Sequence, residues 1–296
     1  MKKPLIIGFS VILALAVIFV GISAYLGYSL TRTERIPLTQ NPSALNLTYE
    51  DVTFPSLDEN LTLHGWLLPG TIDGTVIIMV HGNGYNRDDP TIGTLDIASE
   101  LVRHGYSVLM FDLRGYGESD GATVSGGYYE KRDVEGAAAF VKQLGYENIG
   151  VIGFSLGAVS TLLAAAEDED IDVVVADSSY ADLNDIMGPE FKKRTKAPAF
   201  FLRPILFMID IMYGVDFAAI RPIAAVPEIF PRPILFIHGE NDDMIPVAHA
   251  ERLYEAADNP SDELWIVPGA GHTRSFKTEP QVYIEKVVDF FDENLK

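Results

Sequence analysis

The stretch Ile149-Gly150-Val151-Ile152-Gly153-Phe154-Ser155-Leu156-Gly157-Ala158 decides how this chain folds. Its β-branched start suits a strand, Gly-Phe-Ser-Leu-Gly makes a sharp turn, and the small apolar residues that follow suit a helix. Glycine at 153 and 157 lets strand and helix approach more closely than a Cβ permits. The turn holds the Ser155 hydroxyl clear of the backbone. The unpaired N–H groups and positive dipole end of the new helix point where an oxyanion would form. G-x-S-x-G also arises by chance in strand-turn-helix units, so its meaning depends on the rest of the chain.

Around this turn the pattern alternates. Apolar runs at Leu47–Phe54, Leu61–Leu68, Gly74–Val80, Ser107–Phe111, Ile149–Ile152, Ile171–Ala176, Ile234–Ile237 and Leu264–Val267 read as eight strands. Helical patterns lie at about 92–104, 130–144, 156–166, 246–257 and 280–294. Strands alternating with helices predict a mostly parallel sheet covered on both faces. The first two strands, joined through Ser56-Leu57-Asp58-Glu59-Asn60, form an antiparallel edge. Residues 184–231 break the alternation with six prolines, a basic cluster at Lys192, Lys193, Arg194 and Lys196, and an apolar run from Ala197 to Tyr213. This segment is expected to be a helical cap inserted over the sheet, its helix starting at Pro204 and partly lining a pocket.

The 28 residues Pro4–Thr31 carry no charge. As a helix they would be about 42 Å long against roughly 30 Å of hydrocarbon. The apolar run outlasts that of a secretory signal, so residues 1–31 read as an uncleaved transmembrane anchor, with secretion after cleavage as the alternative. Tyr25 and Tyr28 suit the far interface, and Lys2 and Lys3 place the N-terminus inside and the following domain outside the cytoplasm. Residues 32–46, with Pro37, Pro42, Asn41 and Ser43, read as a linker, and 47–296 as the sheet domain. Cysteine is absent, which excludes disulfides and thiol chemistry, and the net charge of -20 argues against nucleic-acid binding.

A serine hydroxyl needs a base, and the base an orienting acid. Three histidines follow Ser155: His238, His249 and His272. His272 closes Pro268-Gly269-Ala270-Gly271 after the last predicted strand, where a loop can carry an imidazole back to Ser155. His238 ends a strand and reads as a turn-bonding group; His249 lies in a predicted helix and reads as a surface residue. For the acid, Asp242 ranks first by its spacing in His238-Gly239-x-x-Asp242-x-x-Ile245-Pro246, then its neighbour Asp243, then Asp177 at the end of an earlier strand. Backbone N–H groups of Leu156 and Asn83, the latter in His81-Gly82-Asn83-Gly84, are the expected oxyanion donors, and His81 reads as a buried organiser of that turn. Asp112-Leu113-Arg114-Gly115-Tyr116-Gly117-Glu118-Ser119 reads as a tight turn fixed by Asp112 and Arg114; no P-loop lysine or dinucleotide fingerprint accompanies it.

Taken together, His81-Gly82-Asn83-Gly84, Asp112-x-Arg114-Gly115-x-Gly117-x-Ser119, Gly153-x-Ser155-x-Gly157, His238-Gly239-x-x-Asp242 and Gly271-His272 resemble the α/β-hydrolase superfamily in their order over residues 47–296. With the N-terminal segment, the chain looks like its membrane-anchored esterase, thioesterase and serine-aminopeptidase-like branch. The resemblance implies an α/β-hydrolase fold and a Ser-His-Asp hydrolase of carboxylic esters or thioesters, without cofactor. Peptidase members often carry a second glycine where this chain has Ala158. Dehalogenases and epoxide hydrolases use an aspartate nucleophile, against which Ser155 argues. A catalytically idle binding protein on the same fold is the rival from another class.

Overall fold

A computed structural model describes residues 2–57, 60–195 and 198–295. The chain begins with helix α1 (Lys2–Thr31) and continues into an eight-stranded sheet interleaved with helices. In chain order these are β1 (Glu50–Pro55), β2 (Thr62–Leu68), β3 (Thr75–Val80), α2 (Thr94–Arg103), β4 (Ser107–Phe111), α3 (Glu130–Gln143), β5 (Asn148–Phe154), α4 (Leu156–Glu167) and β6 (Val173–Asp177). A cap follows, built from α5 (Leu183–Thr195), α6 (Leu202–Tyr213) and the short α7 (Pro222–Ala225). The chain ends with β7 (Ile234–Gly239), α8 (Ala248–Ala257), β8 (Glu263–Val267), α9 (Ser275–Thr278) and α10 (Pro280–Asn294).

The strand order is β1-β2-β4-β3-β5-β6-β7-β8; β1 and β2 pair antiparallel, and every pairing from β4 to β8 is parallel. Strands β3, β4, β6 and β7 are buried at every residue, which is why each reads as an unbroken apolar run. One face packs on α3, α4 and α8 around Val76, Ile78, Val151, Leu162 and Leu253. The other packs on α2 and α10 around Ile77, Ile152, Leu101 and Phe291. From β3 the chain passes to β4 on one side, and β5 lies on the other. The loops after β3 and β5 therefore meet in a crevice at the carboxyl edge, where open α/β sheets place their ligands.

Three segments differ from expectation. β1 starts at Glu50 because Asn46 takes a left-handed conformation and Leu47 N bonds to Pro42 O, tying the preceding residues into a short 3-10 turn. Helix α5 was hidden by its polar composition and by Pro189 within it. Helix α6 begins at Leu202 and carries Pro204 within its first turn, where the missing N–H has no partner to lose. Asp58, Glu59, Lys196 and Ala197, part of the expected loop and cap run, lie outside the described residues.

The stretch 32–46 joins α1 to the sheet as a docked strap. Val124 N bonds to Thr31 O at 2.7 Å and Thr33 N to Ala122 O at 3.1 Å, around a bridge between Arg32 and Thr123. Arg35 donates to the carbonyls of Gly117 and Gly121, and Asp88 Oδ2 accepts from the backbone of Thr39 and Gln40.

Candidate active site

Ser155 sits between β5 and α4 at φ +53° and ψ −112°, a region that ordinary residues avoid. Close packing enforces it. A Cβ on Gly157 would lie 2.2 Å from Val80 O, and one on Gly153 would lie 2.5 Å from Gly157 O. The bond from Ser155 N to Asp177 O, 2.8 Å, pins the turn to the neighbouring strand.

His272 follows β8 on a loop fastened to the end of β7. Asn241 N bonds to Ala270 O at 2.8 Å and Glu240 N to Val267 O at 3.0 Å. The imidazole Nε2 lies 2.9 Å from Ser155 Oγ, and Nδ1 lies 2.7 Å from Asp242 Oδ2. A carboxylate only accepts, so Nδ1 carries the proton and Nε2 is left to accept from the serine hydroxyl. Asp242 Oδ1 takes the N–H groups of Met244 at 2.9 Å and Ile245 at 2.8 Å. His238 Nε2 stands 3.3 Å from Oδ2. Burial works to raise the Asp242 pKa, but the donors from His238, His272 and Ile245 outweigh it and hold the carboxyl well below the usual range.

The other candidates fall elsewhere. Asp243 is exposed. Asp177 is buried at the end of β6, bonded to Ser178 Oγ at 2.9 Å. His238 is buried and its Nε2–H donates to Ile245 O at 2.8 Å, so it organises the turn that holds Asp242. His249 is buried rather than on the surface, because its Nδ1 accepts from Ala181 N at 3.1 Å, a long-range contact that helical periodicity does not reveal. His81 is buried as well. Its Nδ1–H donates to Gly82 O at 2.7 Å and its Nε2 accepts from Leu113 N at 3.0 Å, while burial lowers its pKa and keeps it neutral.

The loop after β3 lies over the elbow: a Cβ on Gly82 would be 3.5 Å from Ser155 Cβ. Asn83, next along, and Leu156, at the start of α4, are both on this rim, and among the described residues neither backbone N–H is taken by another backbone group. Two residues that the sequence did not single out hold the rim in place. The Tyr116 hydroxyl bonds to Asn83 Oδ1, and its ring meets His81 edge to face at 5.3 Å. Ser178, at φ +61°, accepts the N–H of Thr273 at 3.1 Å and so anchors the residue beside His272. The signal for Tyr116 was its place between Gly115 and Gly117; Ser178 offered none.

The turn after β4 is fixed as expected. Asp112 accepts from Arg87 N at 2.8 Å and Glu118 N at 2.9 Å, and its carboxylate pairs with the Arg87 guanidinium. Arg114 pairs with Asp133 at 2.7 Å. Among the described residues no cluster of three or more His, Asp or Glu side chains is arranged to hold a metal ion.

The model of the Alpha/beta hydrolase family matches residues 77–286. YqkD of Bacillus subtilis (strain 168), described as an uncharacterized protein, is 31% identical over 221 residues, covering 73% of this chain and 70% of its own. YfhR of Escherichia coli (strain K12), described likewise, is 29% identical over 252 residues, covering 81% and 80%. Among solved structures, the Pyrococcus furiosus esterase Pf2001 superposes with a TM-score of 0.76 at 26% identity, covering 90% of this chain and 98% of its own.

Proposed function

The chain belongs to the alpha/beta hydrolase family and is a hydrolase; from that premise we propose that it cleaves carboxylic esters or thioesters through a Ser155–His272–Asp242 triad. The observation that carries this reading is the continuous line of contacts from Ser155 Oγ through His272 to Asp242, 2.9 Å and 2.7 Å long. Similarity to an esterase over most of both chains supports the ester as substrate.

In this mechanism Ser155 Oγ attacks the acyl carbon while His272 Nε2 takes its proton. Asp242, kept ionised, stabilises the imidazolium without taking the proton itself. The N–H groups of Leu156 and Asn83 receive the developing oxyanion. His272 returns the proton to the departing alkoxide or thiolate, which leaves as alcohol or thiol. Water, deprotonated by the same imidazole, then attacks the acyl-enzyme, giving the free acid and restoring Ser155. Labelling by a fluorophosphonate probe tests the assignment, with Ser155→Ala as control. Labelling that survives the substitution would falsify it, and faster turnover of amides than of matched esters would move the chain to the peptidases.

The same proposal places the protein on a membrane, held by α1 with the catalytic domain outside the cytoplasm. Ile7, Phe9, Ile12, Val17 and Ile18 are all more than half exposed, a surface that water does not tolerate on a lone helix. An uncleaved anchor is favoured because the end of α1 is built into the domain: a Cβ on Gly27 would lie 3.0 Å from Ile209 Cγ1, and Thr31 O accepts from Val124 N. Membrane fractionation tests the anchor. A C-terminal reporter active only in an oxidising compartment tests the orientation, and a cytoplasmic signal would reverse it.

A further inference from the structure

An apolar cavity of about 210 Å³ lies between the site and α1. Leu30 at the end of α1, Asn83 on the oxyanion rim, Leu183 on α5, and Leu202, Leu206 and Ile209 on α6 are among the residues that line it. Thr31 and Asn83 supply its polar side chains, and the Thr31 hydroxyl is spent within α1 on Gly27 O at 2.9 Å. That leaves a cavity with one polar end, at the rim beside Ser155, and hydrocarbon elsewhere. It fits a molecule with a carbonyl at one end and an alkyl chain behind it. Its volume is below the 300 Å³ or more usual for drug-sized ligands, so it receives part of one alkyl chain and leaves no room for a second.

The cavity also has a definite height relative to the bilayer. Helix α6 runs parallel to α1: the Phe201 ring is 6.1 Å from Phe19, while Ile209 and Met212 lie against Gly27, eight residues further along α1. At 1.5 Å per residue, about 20 residues cross the ~30 Å hydrocarbon core. Counted from Pro4, after the last lysine, they reach about Ser23, beyond Phe19. The turn leading into α6 therefore lies at hydrocarbon level. Its outer surface agrees: Phe200 in that turn is 66% exposed, and Phe207 and Ile211, one turn apart on α6, are 63% and 61% exposed, with Arg203 and Asp210 exposed beside them. This is the surface of a helix lying in the membrane boundary. Leu202 thus lines the cavity at the level of the lipid tails, and Asn83 lines it at the level of the chemistry.

We propose that the substrate reaches Ser155 from the bilayer: it is a lipid bearing a single long acyl chain in ester linkage, and α1 forms part of the wall that holds that chain. The inference rests on the hydrolase reading above and names its substrate class.

The full-length protein in phosphatidylcholine vesicles provides the test. Glycerol release is measured from 1-monooleoylglycerol carried in the vesicles and from 1-monobutyrylglycerol in water. The expected ratio of kcat/KM favours the oleoyl ester by about 100-fold or more. Leu206→Trp, which fills the cavity from α6, and Leu30→Trp, which fills it from α1, each lower that ratio about tenfold. If one of them does not fold, the other decides. The double variant Phe207→Glu, Ile211→Glu, outside the cavity, lowers the ratio about tenfold through the loss of bilayer contact. A wild-type ratio near one, with the butyryl ester cleaved and Ser155 labelled, overturns the inference and leaves the hydrolase reading standing. Ratios that both tryptophans leave unchanged also overturn it, as does faster cleavage of the host phosphatidylcholine than of the monoacyl ester. No ester turnover and no labelling overturn the hydrolase reading itself.

Discussion

Asp242 and Asp177 stand at the ends of neighbouring strands β7 and β6, both withdrawn from solvent, and the fold treats them in opposite ways. Around Asp242 the chain gathers two backbone N–H groups and two imidazoles. Around Asp177 it gathers hydroxyls, Ser178 at 2.9 Å and Ser275 at 3.4 Å, with the Tyr283 hydroxyl facing it. Burial raises the pKa of both. At Asp242 the donors reverse it and drive the carboxyl below its ordinary range. At Asp177 burial prevails over Ser178 and the nearby histidines, and the carboxyl is pushed up to about 6. Position at the carboxyl edge does not by itself keep a carboxylate ionised; the N–H groups aimed at it do.

The strongest way to break this comparison is to exchange the two roles. Asp242→Asn is expected to lower kcat/KM by about 10³- to 10⁴-fold, because the amide no longer fixes Nδ1 as the protonated nitrogen of His272. A similar loss in Asp177→Asn would show that the roles have been assigned the wrong way round. The next effect concerns His238, a positioning residue behind Asp242. His238→Phe removes one donor and the bond to Ile245 O, and a loss of about 10- to 100-fold in kcat with little change in KM is expected. An unaltered kcat would mean that the other donors hold Asp242 unaided.

The remaining tests use stability against pH. Asp242 binds its proton more weakly folded than unfolded. Its contribution is present above its unfolded pKa, about 4, and is lost as pH falls through its depressed folded value. In denaturant unfolding, wild type should exceed Asp242→Asn at pH 6, and the gap should narrow progressively as pH falls below about 4 toward the depressed folded value. Asp177 has the opposite sign. Folded, it holds its proton up to about 6, so stability is lost as pH rises between roughly 4 and 6. Asp177→Asn should be the more stable protein at pH 8 by roughly 3 kcal/mol, should match wild type at pH 4, and should keep kcat/KM within about threefold. Two gaps of the same sign would undo the contrast.

The same edge of the sheet explains how much of the site was legible. Ser155, Asp242 and His272 could be picked out as candidates because each follows a mostly apolar strand and is set off by glycines, and a Cβ added at Gly153, Gly157 or Gly239 would meet a backbone oxygen at 2.2 to 2.5 Å. Sterics of that severity leave a fixed spacing in the sequence. Side-chain bonds between distant segments leave no such trace. The burial of His249 depends on Ala181 N, the anchoring of the His272 loop on Ser178, and the docking of residues 32–40 on carbonyls at 117–121 and on Asp88. The cap was legible as an interruption but not as a shape. Its helix α5 carries an internal proline, and beside the Tyr129 hydroxyl on Tyr213 O and the pair of Arg252 with Asp185 it packs through apolar side chains, Ile205, Ile209, Val215 and Ile220. Apolar contact constrains which kind of residue is present, not how far apart such residues stand.

The docked strap has a consequence for how the reaction would be counted. A domain on a loose tether samples a shell of solution, and its rate follows the concentration of substrate per volume. Here the bridge at Arg32 and Thr123, the grip of Arg35 on Gly117 and Gly121, and the contact of Gly27 with Ile209 leave no slack between α1 and the elbow. For an enzyme held by α1 and acting on the proposed bilayer substrate, Ser155 stays at one height above the lipid plane and would meet that substrate by diffusion in two dimensions. Its rate then follows the mole fraction of substrate in the surface. Doubling the vesicle lipid at a constant amount of monoacyl ester should slow turnover by about half, although the total concentration of ester in the tube has not changed.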